Sequence, residues 1–282
     1  MALRLASRKF GSRFFPIFSS TSQLHSHATS FGFKEVREEE KSQMVSNVFS
    51  NWWNVASNYD LMNDLMSGGL HRLWKDRLVC KLNPFPGMKH LDVAGGTGDV
   101  AFRKSGNSKI VSNYIALQDL LNDNLQEETQ IYVCEINQTC LWKTKSLVWV
   151  EGDAEALSFK IVSNWNGYTI AFGIRNVTHI EKVLAEAYRV LKRGGRFLCL
   201  ELSHVEVPIF KDLYDYYSFS IIPAVGELVA GDQESYQYLV ESIRRFPNQE
   251  NFASMIADAG FQKVVYENLV GGVVAIHSGL KF

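Results

Sequence analysis

The chain has 282 residues, 46% of them hydrophobic and 21% charged, with a formal net charge of −1. That profile belongs to a soluble globular protein able to bury a core without disulfide staples, and no apolar run of about 18 residues is present to span a membrane. Residues 1–34 carry Arg4, Arg8, Lys9, Arg13 and Lys34 and no acid, so the remainder holds 24 basic residues against 30 acidic and lacks the excess of positive charge that a nucleic-acid binder needs.

In chain order, residues 1–34 read as an address. Arg, Ser and Phe dominate, acids are absent, and Leu3, Leu5 and Phe10 interleave with Arg4, Arg8 and Arg13. This composition fits a disordered organelle transit peptide, mitochondrial in preference to plastid, rather than a secretory signal. Acids first appear at Glu35 and at 38–40, where the mature protein is expected to begin. Residues 44–82 have helical apolar spacing, interrupted at Ser67-Gly68-Gly69. Residues 44–86 are therefore expected to form a helical cap on a domain spanning 44–282.

Residues 89–94 then read as a buried strand, 95–98 as a tight glycine turn, and Asp99 as a helix start. Further strands are expected at 131–135, 147–150, 168–172 and 196–201, with a helix over 180–192 capped by Gly194-Gly195. Helices over 207–222, 234–245 and 249–259 precede closing strands at 264–269 and 273–277. Such alternation predicts an α/β fold, a mostly parallel sheet with helices on both faces. Ligands bind such sheets at the carboxyl ends of the strands.

Cys80, Cys134, Cys140 and Cys199 form no CxxC pair and have no histidine cluster beside them. Buried or half-buried free thiols are expected, with no zinc site or other metal.

The turn Asp92-Val93-Ala94-Gly95-Gly96-Thr97-Gly98-Asp99 carries the chemistry. Its glycines let the backbone approach a ligand, and the helix after it aims free N–H groups at the same place. Two ligands fit this pattern. Gly96-x-Gly98-x-x-Ala101 suits the pyrophosphate of NAD, which would make the protein an oxidoreductase. S-adenosylmethionine fits equally, with Asp92 receiving its ammonium. Three features favour the second: Glu135 ends a strand where a carboxylate can hold a ribose diol, Asp153-Ala154 ends the next where adenine would lie, and Leu191-Lys192-Arg193-Gly194-Gly195-Arg196 joins helix to strand as in methyltransferases.

The stretches at 55–64, 71–75, 91–99, 172–177, 231–246 and 252–261 resemble the C-methyltransferases of ubiquinone and menaquinone biosynthesis, the mitochondrial branch above all. The resemblance implies a Rossmann-like class I S-adenosylmethionine-dependent fold. Its cofactor contacts fall on Thr97, Glu135, Asp153 and Ala154, and the turn itself adds Asp92, Gly96 and Gly98. It implies methylation of a polyprenyl benzoquinol ring, with other ubiquinone-biosynthesis proteins as partners and peripheral contact with the matrix side of the mitochondrial inner membrane.

Carbon methylation needs the ring hydroxyl deprotonated. Arg175 is expected to stabilise the phenolate, His204 to act as base and Tyr59 to close over the cofactor. Phe210, Leu213, Tyr214, Tyr217, Phe219, Ile221, Ile222 and Val225 would cover the prenyl tail, touch a membrane or, as the more ordinary reading, form an amphipathic core helix. The chain departs from the family at 51–53, 104–126, 138–145 and 160–166. Glu135 to Leu147 barely allows the dozen or so residues that a parallel crossover takes, so part of the sheet is expected to be exposed and the adenosine pocket weakened. A non-catalytic scaffold in a biosynthetic complex is the alternative that these departures suggest.

Overall fold

The computed structural model describes residues 29–31, 34–36, 63–85, 87–96, 98–102, 130–135, 147–159, 164–205, 207–224, 227 and 233–282. Strands β1 (Thr29–Phe31) and β2 (Lys34–Val36) pair antiparallel across the expected end of the transit segment. Residues 63–67 are helical, Gly68 and Gly69 take positive φ (58° and 78°), and α1 (Leu70–Leu82) follows. The helix break expected at 67–69 is present.

The main sheet contains β3 (Lys89–Val93), β4 (Gln130–Glu135), β5 (Leu147–Glu151), β6 (Trp165–Ala171), β7 (Leu191–Leu202), β8 (Gln262–Leu269) and β9 (Val274–Leu280). Its order is β5-β4-β3-β6-β7-β9-β8. The first five strands run parallel, and β9 is antiparallel to both β7 and β8. The order reverses beside β3, whose neighbours are β4 and β6, and this opens a crevice at the carboxyl ends of the strands.

Alternation along the strands decides which helix covers which face. On β7, Phe197 and Cys199 pack with Val183, Leu184 and Ala187 of α3 (Ile180–Val190) and with Phe252 and Ile256 of α6 (Gln249–Asp258). Leu198 and Leu200, one residue out of phase, pack with Trp74, Leu78 and Leu82 of α1 and with Val100 of the short α2 (Asp99–Phe102). Each fully buried Leu, Ile or Phe side chain contributes about 1.5–3 kcal/mol. A third cluster joins α5 (Gln233–Arg245) to Ile222, Tyr217, Leu202 and Met66.

Four expectations are corrected. The helix over 180–192 ends at Val190, and Gly194-Gly195 does not cap it. Leu191 is already extended and pairs with Trp165, so sheet hydrogen bonding takes over from the helix two residues early. The two glycines instead form an irregularity inside β7, where Gly194 N–H donates to Lys281 O (2.6 Å) and Gly195 O accepts from Lys281 N–H (3.0 Å). Second, the strand expected at 168–172 is β6, which starts earlier; Phe172 lies beyond it, at φ 58°. Third, Cys80 is exposed, because α1 turns His71, Trp74, Lys75, Leu78, Val79 and Leu82 inward and leaves position 80 on its outer face. Cys134 and Cys199 are buried.

The fourth concerns the aromatic stretch at 210–225. It runs through α4 (Pro208–Tyr216) and a π-helical turn (Tyr217–Ile221), and α4 has no fully buried residue. Phe210 and Tyr214 pack inward, while Ile209, Leu213 and Tyr216 stand exposed at 86%, 63% and 64%. Edge strand β5 exposes Val148 and pairs with β4 over five residues. The departures at 104–126 and 138–145 and Val225 lie outside the described residues.

A Cβ on Gly195 would sit 2.7 Å from Lys192 O and 3.0 Å from Trp165 O, both backbone atoms that cannot give way cheaply. Gly195→Ala is expected to destabilise the fold by about 1–3 kcal/mol, read as a lowered thermal midpoint; an unchanged midpoint means that this crossing is slack.

Candidate active site

The functional side chains stand at the carboxyl ends of adjacent strands. At the end of β3 the chain passes through Ala94 (φ 52°) into Gly95 and Gly96 (φ 55°), then Gly98 (φ 76°) and α2. A left-handed alanine is uncommon, and such strain gathers where a backbone must meet a ligand. A Cβ on Gly95 would lie 2.5 Å from Val133 Cγ1 and 3.2 Å from Asp92 Oδ2, so only glycine fits between the turn and the buried acid.

Asp92 is 1% exposed. Its Oδ1 accepts from the Thr169 hydroxyl at 2.6 Å, and its Oδ2 is buried without a hydrogen-bond partner among the described residues. Burial pushes this carboxyl up to about 7, against the Thr169 bond and the Lys75 charge, which favour the ionised form. Lys75, from α1, pairs with Asp99 at the start of α2 (2.6 Å) and so ties the helical cap to the turn. Glu135, at the end of β4, accepts from Gly96 N–H (2.9 Å) through Oε2, which places a carboxylate on the turn itself. Asp153 follows β5, where its Oδ1 accepts from Glu155 N–H at 2.9 Å in a tight turn next to Ala154; no helix follows for it to cap. Thr97 and Tyr59 lie outside the described residues. Asp92, Gly96, Gly98 and Glu135 thus converge at one crevice, and Asp153-Ala154 stand one strand further out.

Beyond β6, Phe172 leads into a 3₁₀ turn (Ile174–Asn176) that carries Arg175. The guanidinium Nη1 donates to Glu201 Oε1 (2.6 Å) and to Phe172 O (2.8 Å), and both charged side chains are buried. Burial raises the Glu201 carboxyl above its ordinary range in spite of Arg175. Ser203 and His204 follow on the loop after β7. His204 Nε2–H donates to Phe246 O at 2.7 Å, which leaves Nδ1 as the acceptor nitrogen. Its backbone O accepts from Gln249 Nε2 (2.9 Å) at the start of α6. A cavity of about 460 Å³ opens here, lined by Ser203, His204, Tyr214, Lys211, Val240 and Arg244 among others. The buried Ser203 Oγ has no partner among the described residues. Burial raises the phenol of Tyr214, and that of Tyr238, which donates to Asn176 Oδ1 (3.2 Å).

Sequence reasoning did not single out His90, Thr169, Glu201 or Ser203. His90 lies two residues before Asp92 and so shares its face of the strand, a signal that was legible. Thr169 and Glu201 become meaningful only through strand pairing.

Residues 35–281 match the ubiE/COQ5 methyltransferase family. The chain is 69% identical to the Arabidopsis thaliana protein named 2-methoxy-6-polyprenyl-1,4-benzoquinol methylase, mitochondrial, over the whole of both chains. It is 50% identical to the Homo sapiens protein of that name, over 90% of this chain and 84% of that one. A solved Thermotoga maritima structure, a SAM-dependent methyltransferase described as a possible histamine N-methyltransferase, shares the fold with a TM-score of 0.53 at 16% identity. It covers 84% of this chain and 100% of that one.

A raised acid destabilises the native state as pH climbs from the ordinary carboxylate value of 3.8 through the folded value of about 7, because the native state holds a proton that the unfolded chain has lost. Asp92→Asn removes that penalty. Its melting temperature relative to the parent is expected to rise between pH 5.5 and pH 8, by roughly 2–4 °C per kcal/mol. A difference that stays constant across this range would show that Asp92 is not protonated in the native state.

Proposed function

The chain belongs to the ubiE/COQ5 methyltransferase family, and we propose that it methylates a ring carbon of a polyprenyl benzoquinol within mitochondria. It is an S-adenosylmethionine-dependent methyltransferase, which decides the glycine turn against NAD. The residues present fit that cofactor: a buried, unpartnered carboxylate oxygen under Gly95 suits a cationic group, and Glu135 on the turn suits a diol. When bound, the cofactor supplies an electrophilic methyl group on a sulfonium.

The observation that carries the substrate reading is the cavity that His204 and Ser203 line, with the buried, Glu201-paired Arg175 within electrostatic reach of Tyr214 on its wall. A ring carbon attacks a methyl group well only when a neighbouring hydroxyl has lost its proton. His204 offers Nδ1 as base, its tautomer fixed by the bond from Nε2–H to Phe246 O. Arg175 holds positive charge near this cavity, within electrostatic reach of Tyr214 on its wall, and so favours a phenolate there. Glu201 and Phe172 O fix the guanidinium before substrate arrives, which spares reorganisation during the reaction. Tyr59 and Thr97 complete the proposed set by resemblance.

The remaining proposals concern place and partners. No helix among the described residues is long and apolar enough to cross a membrane. Ile209, Leu213 and Tyr216 form an exposed apolar stripe at helical spacing on α4, suited to a bilayer surface where a polyprenyl quinol resides. The matrix side of the inner membrane and association with other ubiquinone-biosynthesis proteins fit the same reading.

Incubated with S-adenosylmethionine and a short-tailed benzoquinol, the protein is expected to yield the C-methylated quinol by mass spectrometry. His204→Asn should lower kcat by about 10²–10⁴-fold with cofactor affinity unchanged by calorimetry. An unaltered kcat removes His204 as the base, and no turnover despite cofactor binding would favour the scaffold. In sedimentation with phosphatidylcholine vesicles, Ile209→Glu combined with Leu213→Glu is expected to weaken binding about tenfold or more; unaltered binding places the membrane contact elsewhere.

A further inference from the structure

Beneath the glycine turn, Asp92 ends a buried hydrogen-bond chain whose other members have no part in the reading above. His90 and Asp92 lie two residues apart on β3 and therefore face the same side of the sheet. Thr169 is the register partner of Asp92 on β6. His90 and Thr169 have no exposed surface and Asp92 has 1%. When Asp92 is ionised, the Thr169 hydroxyl gives its one proton to Oδ1 (2.6 Å). Its oxygen must then accept from His90 Nε2 (2.9 Å), which fixes the His90 tautomer with its proton on Nε2. That bond in turn keeps the threonine proton aimed at Asp92.

The other oxygen, Oδ2, is buried, without a partner among the described residues, and directly under Gly95. Several charges surround it. Lys75 of α1 favours the carboxylate, but Lys75 is itself paired with Asp99 of α2. Asp99 of α2 and Glu135 of β4 disfavour it, and burial, the largest influence, acts with them to hold the acid at about 7.

We propose that His90 and Thr169 are positioning residues that hold Asp92 poised to release its proton when the cofactor ammonium docks at the glycine turn, so that cofactor capture and proton release are one event. This rests on the reading that Asp92 receives that ammonium. In the step, the Asp92 O–H bond breaks, the proton passes to water in the crevice, and the carboxylate left behind faces one incoming positive charge.

Calorimetry on the full chain tests this, with S-adenosylmethionine titrated at pH 7 in phosphate and in Tris. The buffers differ in ionisation heat, and the expected difference corresponds to release of about half a proton. Thr169→Val removes a bond that favours the carboxylate. It is expected to weaken binding about three- to tenfold at pH 7 and to recover toward the parent at pH 9, while Thr169→Ser restores the parent profile. Equal binding heats in both buffers, or a Thr169→Val loss of the same size at pH 7 and pH 9, would overturn the proposal and leave the cofactor reading intact. Absence of any binding by the folded parent would overturn both.

Discussion

The parallel pairing of β3 with β6 is the contact on which the rest of the site depends. It sets Asp92 against Thr169 and His90 against Gly167, and it brings the ends of both strands to the same edge. A slip of one residue would turn Asp92 to the opposite face of the sheet and break the chain to Thr169. It would also move the glycine turn away from Gly173, where a Cβ would already lie only 2.5 Å from that of Ala94. The reversal of strand order at β3 opens the crevice, and this pairing furnishes its floor.

The molecule keeps several polar groups in places where an apolar side chain would give a more stable fold. Among the described residues, Asp92 is buried with one oxygen unsatisfied, Glu201 is buried against Arg175, and Ser203 Oγ has no partner beside the cavity. Each such group costs about 1–3 kcal/mol when unpaired, and a buried ion pair is weak evidence of stability in itself. All three stand at the ends of β3 and β7, where the reaction is proposed to occur. The left-handed Ala94 and Phe172 stand at the same edge. They and the unsatisfied Asp92 and Ser203 thus share the edge of the sheet where the crevice opens.

The core of this arrangement was legible in the residues. Short apolar runs gave β4, β5 and β7, and the glycine turn located both the end of β3 and the crevice. Asp92, Gly96 and Glu135 do fall at strand ends and in the turn, because strand ends and tight turns are local properties. Gly194-Gly195 misled for the opposite reason. A glycine pair after a helix is a good local stop signal, but the pairing of Leu191 with Trp165 is a long-range bond that local pattern does not contain. The aromatic stretch at 210–225 was legible as amphipathic, but helical spacing reports a stripe without saying that Phe210, Tyr214, Tyr217 and Ile222 meet the core while Leu213, Phe219 and Ile221 do not.

By itself, then, the sequence determined the fold class, the strand and helix order, the glycine turn and, through family motifs, the methyl donor and the class of reaction. These follow from periodicity and from short-range chemistry, which survive in any window of a dozen residues. The tertiary structure alone decided that Thr169 reaches Asp92 from 77 residues away, that Glu201 holds Arg175, that His204 gives its Nε2 proton to Phe246 O, and that α4 turns Ile209 and Leu213 outward. Each of those depends on which strands become neighbours, and burial then sets the charge state of the acid at the centre.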